Sequence, residues 1–502
     1  MTLTSSTHQD KQEYSVLWLH FVLILVIYAA TGYYSPGFDD EYFNLMVVER
    51  FGTAVASYSQ TTDVHPPLSY IINAWLYKAL GGWEFVRMIS GILTASSLII
   101  TISNLSKGKS TLYALIFIYL LAFNPAILMW GTSLRWYGYF FPVLIWLLVI
   151  PRNTKWHWIK FFVAMLWLAY VGYISFFIFP SLFIYYWMSD KRDNKKKIRA
   201  LLIPGILALL LYIPQLITFL NIHYPRSGGQ IFSFSSGLVG IYSTSLSNQG
   251  VFPLSYPGLA AAAGMLILFV HVLKDIHQEW KNPLWGSWVL GQIILLGSRI
   301  AGKMRNLSVL IPLQSLAIAD RFNKGSSRWL WLSLVLIGFG NMAGTYNVIM
   351  HEDTTKNSWN LPVNQVIKQV ESETGNNRSN TLIYCHDPII TWHFERLGYP
   401  VRSPYAGRDI NVASRSFKHA AIIWTNPGYI PKQRMELYRF EISLLKKSSQ
   451  SDYILGTDKY ASFKRKKEPQ YPDELIRLSM IRDPQHISTS SVWSPVFINR
   501  FK

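Results

Sequence analysis

The sequence predicts a polytopic α-helical membrane protein of about 11–13 transmembrane helices, followed by a soluble α/β domain at the C-terminus. Three observations predict it. Only 15% of residues are charged and half are hydrophobic, against roughly 25% charged in an ordinary soluble domain. Apolar runs long enough to cross a bilayer, about 18 residues or more, recur from residue 16 to about residue 347. From about residue 351 the composition turns polar and no later window is apolar enough to cross. These features exclude a simple cytosolic enzyme. The 19 Trp and 29 Tyr also fit, because amphipathic rings collect at the two membrane interfaces. In a soluble protein the net charge of +19 would suggest nucleic acid. Here the excess lies largely in short loops, where it sets topology and faces anionic lipid, so membrane lipids are expected partners and nucleic acid is not. The single cysteine, Cys385, excludes an internal disulfide and a cysteine metal cluster.

The first span reads Val16 to Tyr34. Ala29, Ala30 and Thr31 imitate a signal cleavage site, but Lys11 sits between Asp10 and Glu13 and provides no basic n-region, so an uncleaved anchor is expected. Further spans read about 84–103, 111–129, 136–150, 158–174, 176–189, 199–220, 256–274, 283–298, 304–321 and 328–347, eleven in all. Leu68 to Leu80, with Lys78 inside it, is too short for an untilted crossing and reads as interfacial or re-entrant. Basic residues orient the bundle. If residue 35 lies outside, the inside loops carry Lys107, Lys109, Arg152, Lys155, Lys160, the run Lys191 to Arg199, Lys274, Lys281, Arg321, Lys324 and Arg328. The opposite face has fewer over longer loops, so the N-terminus is expected inside and the C-terminus outside. Residues 1–350 then form the membrane domain, with an external loop 35–68, and residues 351–502 the external domain. In the latter, Thr381 to Tyr384 and Ala420 to Trp424 read as buried strands, and Leu361 to Val370 and Arg434 to Leu445 show helical spacing.

The densest polar constellation follows the first span: Asp39-Asp40-Glu41, and then Asp63-Val64-His65-Pro66-Pro67. Between them Phe43, Met46, Val47, Phe51 and Val55 recur at three and four residues, the pattern of a helix lying on the interface with its apolar stripe toward lipid. One Asp suffices as a helix cap, with the other acids complementing the dipole. Three adjacent carboxylates exceed that need and suit an enzyme acting on a lipid-linked group at headgroup level. His65-Pro66-Pro67 is either a rigid start to the next helix, or a set in which His65 and Asp63 fold back beside Asp39 and Asp40 to hold a divalent cation or an acceptor. Arg135, in Ser133-Leu134-Arg135-Trp136-Tyr137, is either an anchor in the aromatic belt or a ligand. Arg299, Lys303 and Arg305 lie on the side that disfavours basic residues, and a phosphate is the natural partner for them. Cys385-His386-Asp387 is not read as a site, since adjacent residues at a strand end point to opposite faces.

At these residues the chain resembles the C-type superfamily of integral-membrane glycosyltransferases (GT-C), in particular the branch with protein O-mannosyltransferases and the lipid A aminoarabinose transferase. The shared order is a first span, an external loop with Asp40-Glu41, an interfacial helix, His65-Pro66-Pro67-Leu68, and Phe85-Val86-Arg87 opening the next helix. Pro125 followed by Arg135-Trp136-Tyr137, and the late basic span from Arg305 to Pro312, are also similar. The third acid departs from the family's single acidic pair and leaves the base open between Asp39 and Asp40. The resemblance implies transfer of a sugar from a polyprenyl-phosphate donor to a glycan, lipid or protein acceptor, on the non-cytoplasmic face, with inversion. Asp40 or Asp39 would be the base, and Arg135, Arg299, Lys303 and Arg305 the phosphate ligands. Glu41, Asp63, His65 and Tyr137 would serve the acceptor or a metal. No cofactor is required by the motifs, and a divalent metal stays open. A bacterial inner membrane is the expected location. A transporter or lipid flippase with an external domain is the alternative, and a ligase transferring a whole glycan is a third reading; transporters, however, place ionisable groups near the midplane and show repeated halves.

Overall fold

The computed structural model describes residues 6–34, 39–52, 65–105, 111–149, 157–189, 196, 198–218, 220–221, 241–248, 256–274, 282–297, 304–324, 327–350, 363–375, 377–385, 387–403, 410, 416–424, 451–455 and 476–484. The chain divides into two compact units. One holds residues 1–35 and 51–355, the other residues 36–50 and 356–502.

The described residues of the first unit form helices joined by short turns. Each of the eleven apolar stretches of the sequence falls on helix, beginning with Ser6–Tyr34 and ending with Arg328–Ile349. Trp83–Thr101, Ile198–Thr218, Tyr256–Lys274 and Arg328–Ile349 are long and apolar enough to cross a membrane. Leu19–Tyr34, Tyr137–Val149, His157–Val171, Ile174–Ser189 and Pro283–Gly297 are shorter apolar helices. On the helix Ile203–Thr218, Leu207, Leu210 and Leu211 are exposed although apolar, as a bilayer permits. Two stretches differ from the straight spans expected. The run 111–129 is broken, with Leu112–Ala122 and Pro125–Gly131 meeting at 63°. Asn124 makes that break: its side chain accepts from the amides of Ala126 and Ile127, and Pro125 supplies the N1 residue. The run 304–321 is Met304–Leu307, a short 3₁₀ turn Ser308–Leu310 and Ile311–Lys324. It is interior, since every residue from Leu307 to Ala319 is buried.

The helix Trp83–Leu105 is the hub, packing on Ser6–Tyr34, Leu68–Leu80, Thr111–Ala122 and Tyr137–Val149. Small residues allow the approach that membrane helices need in place of a hydrophobic drive. A Cβ on Gly91 would stand 2.4 Å from the Tyr28 carbonyl oxygen, and one on Gly32 would stand 2.6 Å from that of Arg87. Arg87 in turn donates from Nε to the Gly32 carbonyl at 3.1 Å, satisfying an acceptor in the last turn of the first helix. Ser90 donates to the carbonyls of Gly131 and Ser133, and Thr94 to that of Gly131. These bonds hold the carbonyls left free where the broken helix ends, four and two residues before Arg135.

The second unit carries a five-stranded mixed sheet. Its strands are β1 Thr381–Cys385, β2 Val401–Arg402, β3 His419–Trp424, β4 Ser451–Leu455 and β5 Ile476–Arg482, in the order β2-β1-β3-β5-β4. β1 runs parallel to β2 and β3, while β5 runs antiparallel to β3 and β4. All five residues of β1 are buried, as in strands covered on both faces. The helix Val363–Thr374 turns Val363, Val366 and Val370 inward. Asp387 caps the helix Pro388–Arg396, accepting from Ile389 and Ile390 amides at 2.9 and 3.1 Å, so its carboxylate has a structural task. Cys385 is buried; His386 and the stretch Arg434 to Leu445 lie outside the described residues.

The helix Asp39–Phe51 belongs to this second unit through residue 50. The Tyr42 ring stands edge-on to Trp392 at 5.3 Å and tilted against His393 at 5.7 Å. Trp392 donates from Nε1 to Glu49 Oε2 at 3.2 Å. Of the stripe expected to face lipid, the two residues whose side chains are described, Met46 and Val47, are covered by protein, only 2% and 1% exposed. The apolar pattern alone does not distinguish a lipid surface from a protein one. Val55 lies outside the described residues.

Candidate active site

In the first unit the site is built around Arg135. The broken helix ends at Gly131, and the chain turns through Thr132 to Trp136 before the helix Tyr137–Val149 begins. That turn is pinned from outside. Asn73, on the short helix Leu68–Leu80, donates from Nδ2 to the Leu134 carbonyl at 2.6 Å, and its Oδ1 accepts from the Tyr139 hydroxyl at 2.6 Å. One carboxamide thus ties the residue before Arg135 to the helix after it.

Arg135 is 5% exposed, and its Nη2 lies 2.6 Å from Nε2 of His65. A guanidinium has donors only, so Nε2 is the acceptor and His65 is neutral, with its proton on Nδ1. The His65 ring also tilts against Trp136, 6.3 Å between centroids. Trp136 stacks on Tyr137 at 3.7 Å, and the Tyr137 hydroxyl donates to Asn306 Oδ1 at 3.1 Å. The tyrosine therefore links the arginine turn to the short helix Met304–Leu307, which carries Arg305. Pro66 and Pro67, both buried, lead directly from His65 into the helix Leu68–Leu80, the rigid start of a helix that the two prolines favour.

The structure thus brings together His65, Arg135 and Tyr137 of the residues marked in the sequence. Arg305 lies beside Asn306 with only its backbone described, and Arg299, Lys303 and Asp63 lie outside the described residues. Asp39 and Asp40 open their helix, where carboxylates complement the dipole; their side chains are not among those described. Glu41 is buried, 3% exposed. Among the described residues no three His, Cys, Asp or Glu side chains meet as metal ligands, and Nε2 of His65 is engaged by Arg135. Asn73, Tyr139 and Asn306 are absent from the sequence reading. The signal that could have found Asn73 is its position as an amide within an otherwise apolar helix, where a polar group must find a partner.

A bundle of apolar helices with a broken helix running into a buried arginine turn, followed by a small mixed α/β domain, is a fold shared with solved structures. The structure is similar to ArnT from Cupriavidus metallidurans bound to undecaprenyl phosphate, with a TM-score of 0.53 and 12% identity over 92% of this chain and 97% of that one. The apo state of that protein gives 0.51 and 10% over 94% and 98%. At such identity the likeness is one of fold. No family profile and no curated protein matches the sequence.

Proposed function

We propose that this protein is a membrane glycosyltransferase that moves a sugar from a polyprenyl-phosphate donor to an acceptor hydroxyl, with inversion, on the non-cytoplasmic face of a bacterial inner membrane. The observation that carries the reading is the likeness, over nearly the whole of both chains, to a protein with undecaprenyl phosphate bound. The Arg135 turn gives it chemical content. A phosphodiester donor carries one negative charge and a good leaving group, so cations that hold the departing phosphate supply most of what the transition state needs. Arg135 offers a planar fork, and Arg299, Lys303 and Arg305 add charge. As the bond from the anomeric carbon to phosphate oxygen breaks, a bond to the acceptor oxygen forms on the opposite face. The acceptor proton passes to Asp40 or Asp39 as general base, and polyprenyl phosphate leaves as an anion. Glu41 and Asp63 are assigned to the acceptor. His65 and Tyr137 fit a role in orienting Arg135 and the segment of Arg305.

The test is binding of undecaprenyl phosphate to purified protein in detergent or nanodiscs. Wild type is expected to bind it saturably, and Arg135→Ala to lose about 10-fold or more in affinity, the scale of a charge-assisted pair. Wild type with no saturable binding would refute the donor assignment.

A further inference from the structure

The mechanism above uses the phosphate and the acceptor but assigns nothing to the sugar itself. Next to the helix Met304–Leu307 in the first unit lies the turn Tyr242–Leu246, which also packs on Ile311–Lys324. It is a π-helical turn, closed by the Ser247 amide donating to the Tyr242 carbonyl at 2.7 Å. Such turns are rare and concentrate at functional sites. Asn248 follows it at φ +52°, a left-handed conformation that costs energy in a residue other than glycine. The backbone is clamped there: Asn124 donates to the Asn248 carbonyl, and Gln314 donates to the Ser245 carbonyl at 2.8 Å. So the strain is imposed by surrounding structure rather than by chance.

Most side chains of this segment are polar, and Ser243, Thr244, Ser245, Ser247 and Asn248 are buried. Ser243 and Asn248 have no exposure and Ser245 has 4%. Yet Tyr242 Oη, Ser243 Oγ, Ser245 Oγ and both Nδ2 and Oδ1 of Asn248 have no hydrogen-bond partner among the described residues. A buried polar atom left unpaired is costly, and native proteins leave only a few per hundred residues. Five within seven residues need a polar partner from elsewhere. We propose that this turn is the sugar-recognising subsite of the donor site, and that its ligand is the hydroxyl face of a neutral sugar. Hydroxyls and a carboxamide both donate and accept, which matches sugar hydroxyls that do the same. They provide no carboxylate to favour a cationic amino sugar. The position fits, since Asn306 and Arg305 of the proposed phosphate site lie on the helix packed against the turn. This inference rests on the donor reading.

The experiment compares bare undecaprenyl phosphate with its glucosyl, mannosyl, galactosyl and arabinosyl phosphodiesters as ligands of the full-length protein. Asn248→Gly removes the carboxamide while keeping the left-handed backbone free of strain, and Ser243→Ala with Ser245→Ala removes two hydroxyls. Wild type is expected to prefer at least one glycosylated lipid over the bare one. Both variants should lose that preference by about 10-fold, the scale of one or two hydrogen bonds, with affinity for bare undecaprenyl phosphate unchanged. Their melting temperature without ligand should hold or rise, because an unpaired buried polar group has been removed. Variants that keep the wild-type preference, or a wild type that prefers none of the four sugars while still binding the bare lipid, would overturn the subsite alone. A wild type that binds none of these lipids would overturn the donor reading beneath it.

Discussion

Arg135 takes its support from nearby sequence, with His65 and Asn73 70 and 61 positions away from the groups they bond. The helix that opens with Asp39 and Asp40 takes its support from Trp392, 343 positions from Glu49. The two stations of the proposed reaction therefore rest on different units: the phosphate station is part of the helical bundle, and the acidic helix is part of the unit that holds the sheet. Residues divided between the units in this way let one unit be perturbed and the other read out.

Substitutions can break this division, and the acidic helix gives the largest expected effect. Asp40→Asn should cost about 100-fold or more in transfer, the scale of losing a general base, with undecaprenyl phosphate affinity unchanged. Normal turnover by both Asp40→Asn and Asp39→Asn in a purified assay would remove the acidic helix from the chemistry.

Next comes a pH effect confined to the second unit. Burial, with the positive charge of Arg396 nearby, holds His393 down at about 4. The unfolded imidazole takes up a proton below about 6.5, whereas the folded one stays neutral until about 4. The unfolded state thus binds more protons across that window, and stability falls as pH drops through it. Between pH 7 and pH 5 the loss should be about 2 kcal/mol, read as resistance of the C-terminal domain to urea in the intact protein. His393→Phe should flatten that dependence, and a slope unaltered by the substitution would assign it to other groups.

Trp392→Phe keeps the ring beside Tyr42 and removes the donor to Glu49. Turnover is expected to fall about 10-fold, the weight of one hydrogen bond to a charged group, with lipid-phosphate affinity held. Loss of affinity instead would mean that the two units do not divide the work. Smallest of the four is Tyr137→Phe, which removes a neutral hydrogen bond to Asn306. Donor affinity should weaken about 5-fold, and stability of the second unit against urea should not change.

What the sequence disclosed follows from how far each interaction reaches. Arg135 and Tyr137 stood out because they sit together in one short motif, and Asp387 caps the helix Pro388–Arg396. The strands at Thr381 and Ala420 were visible as apolar runs, whereas the 63° break before Pro125 was not, because the apolar run 111–129 reads through it. Asn73 and Asn306 were hidden, since a single amide in an apolar helix gives no sign of its distant partner. The partner of the helix Asp39–Phe51 was hidden for a sharper reason. An apolar stripe reports that one face wants cover, and the burial of Met46 and Val47 in protein meets that need as a bilayer surface would also have done.

The division of labour is tested most directly by the affinity of undecaprenyl phosphate for three proteins measured side by side: wild type, Arg135→Ala and Asp40→Asn. Arg135→Ala is expected to bind about 10-fold or more weakly, while Asp40→Asn binds as wild type does. An Asp40→Asn protein weakened as much as Arg135→Ala, or an Arg135→Ala protein with wild-type affinity, would contradict it.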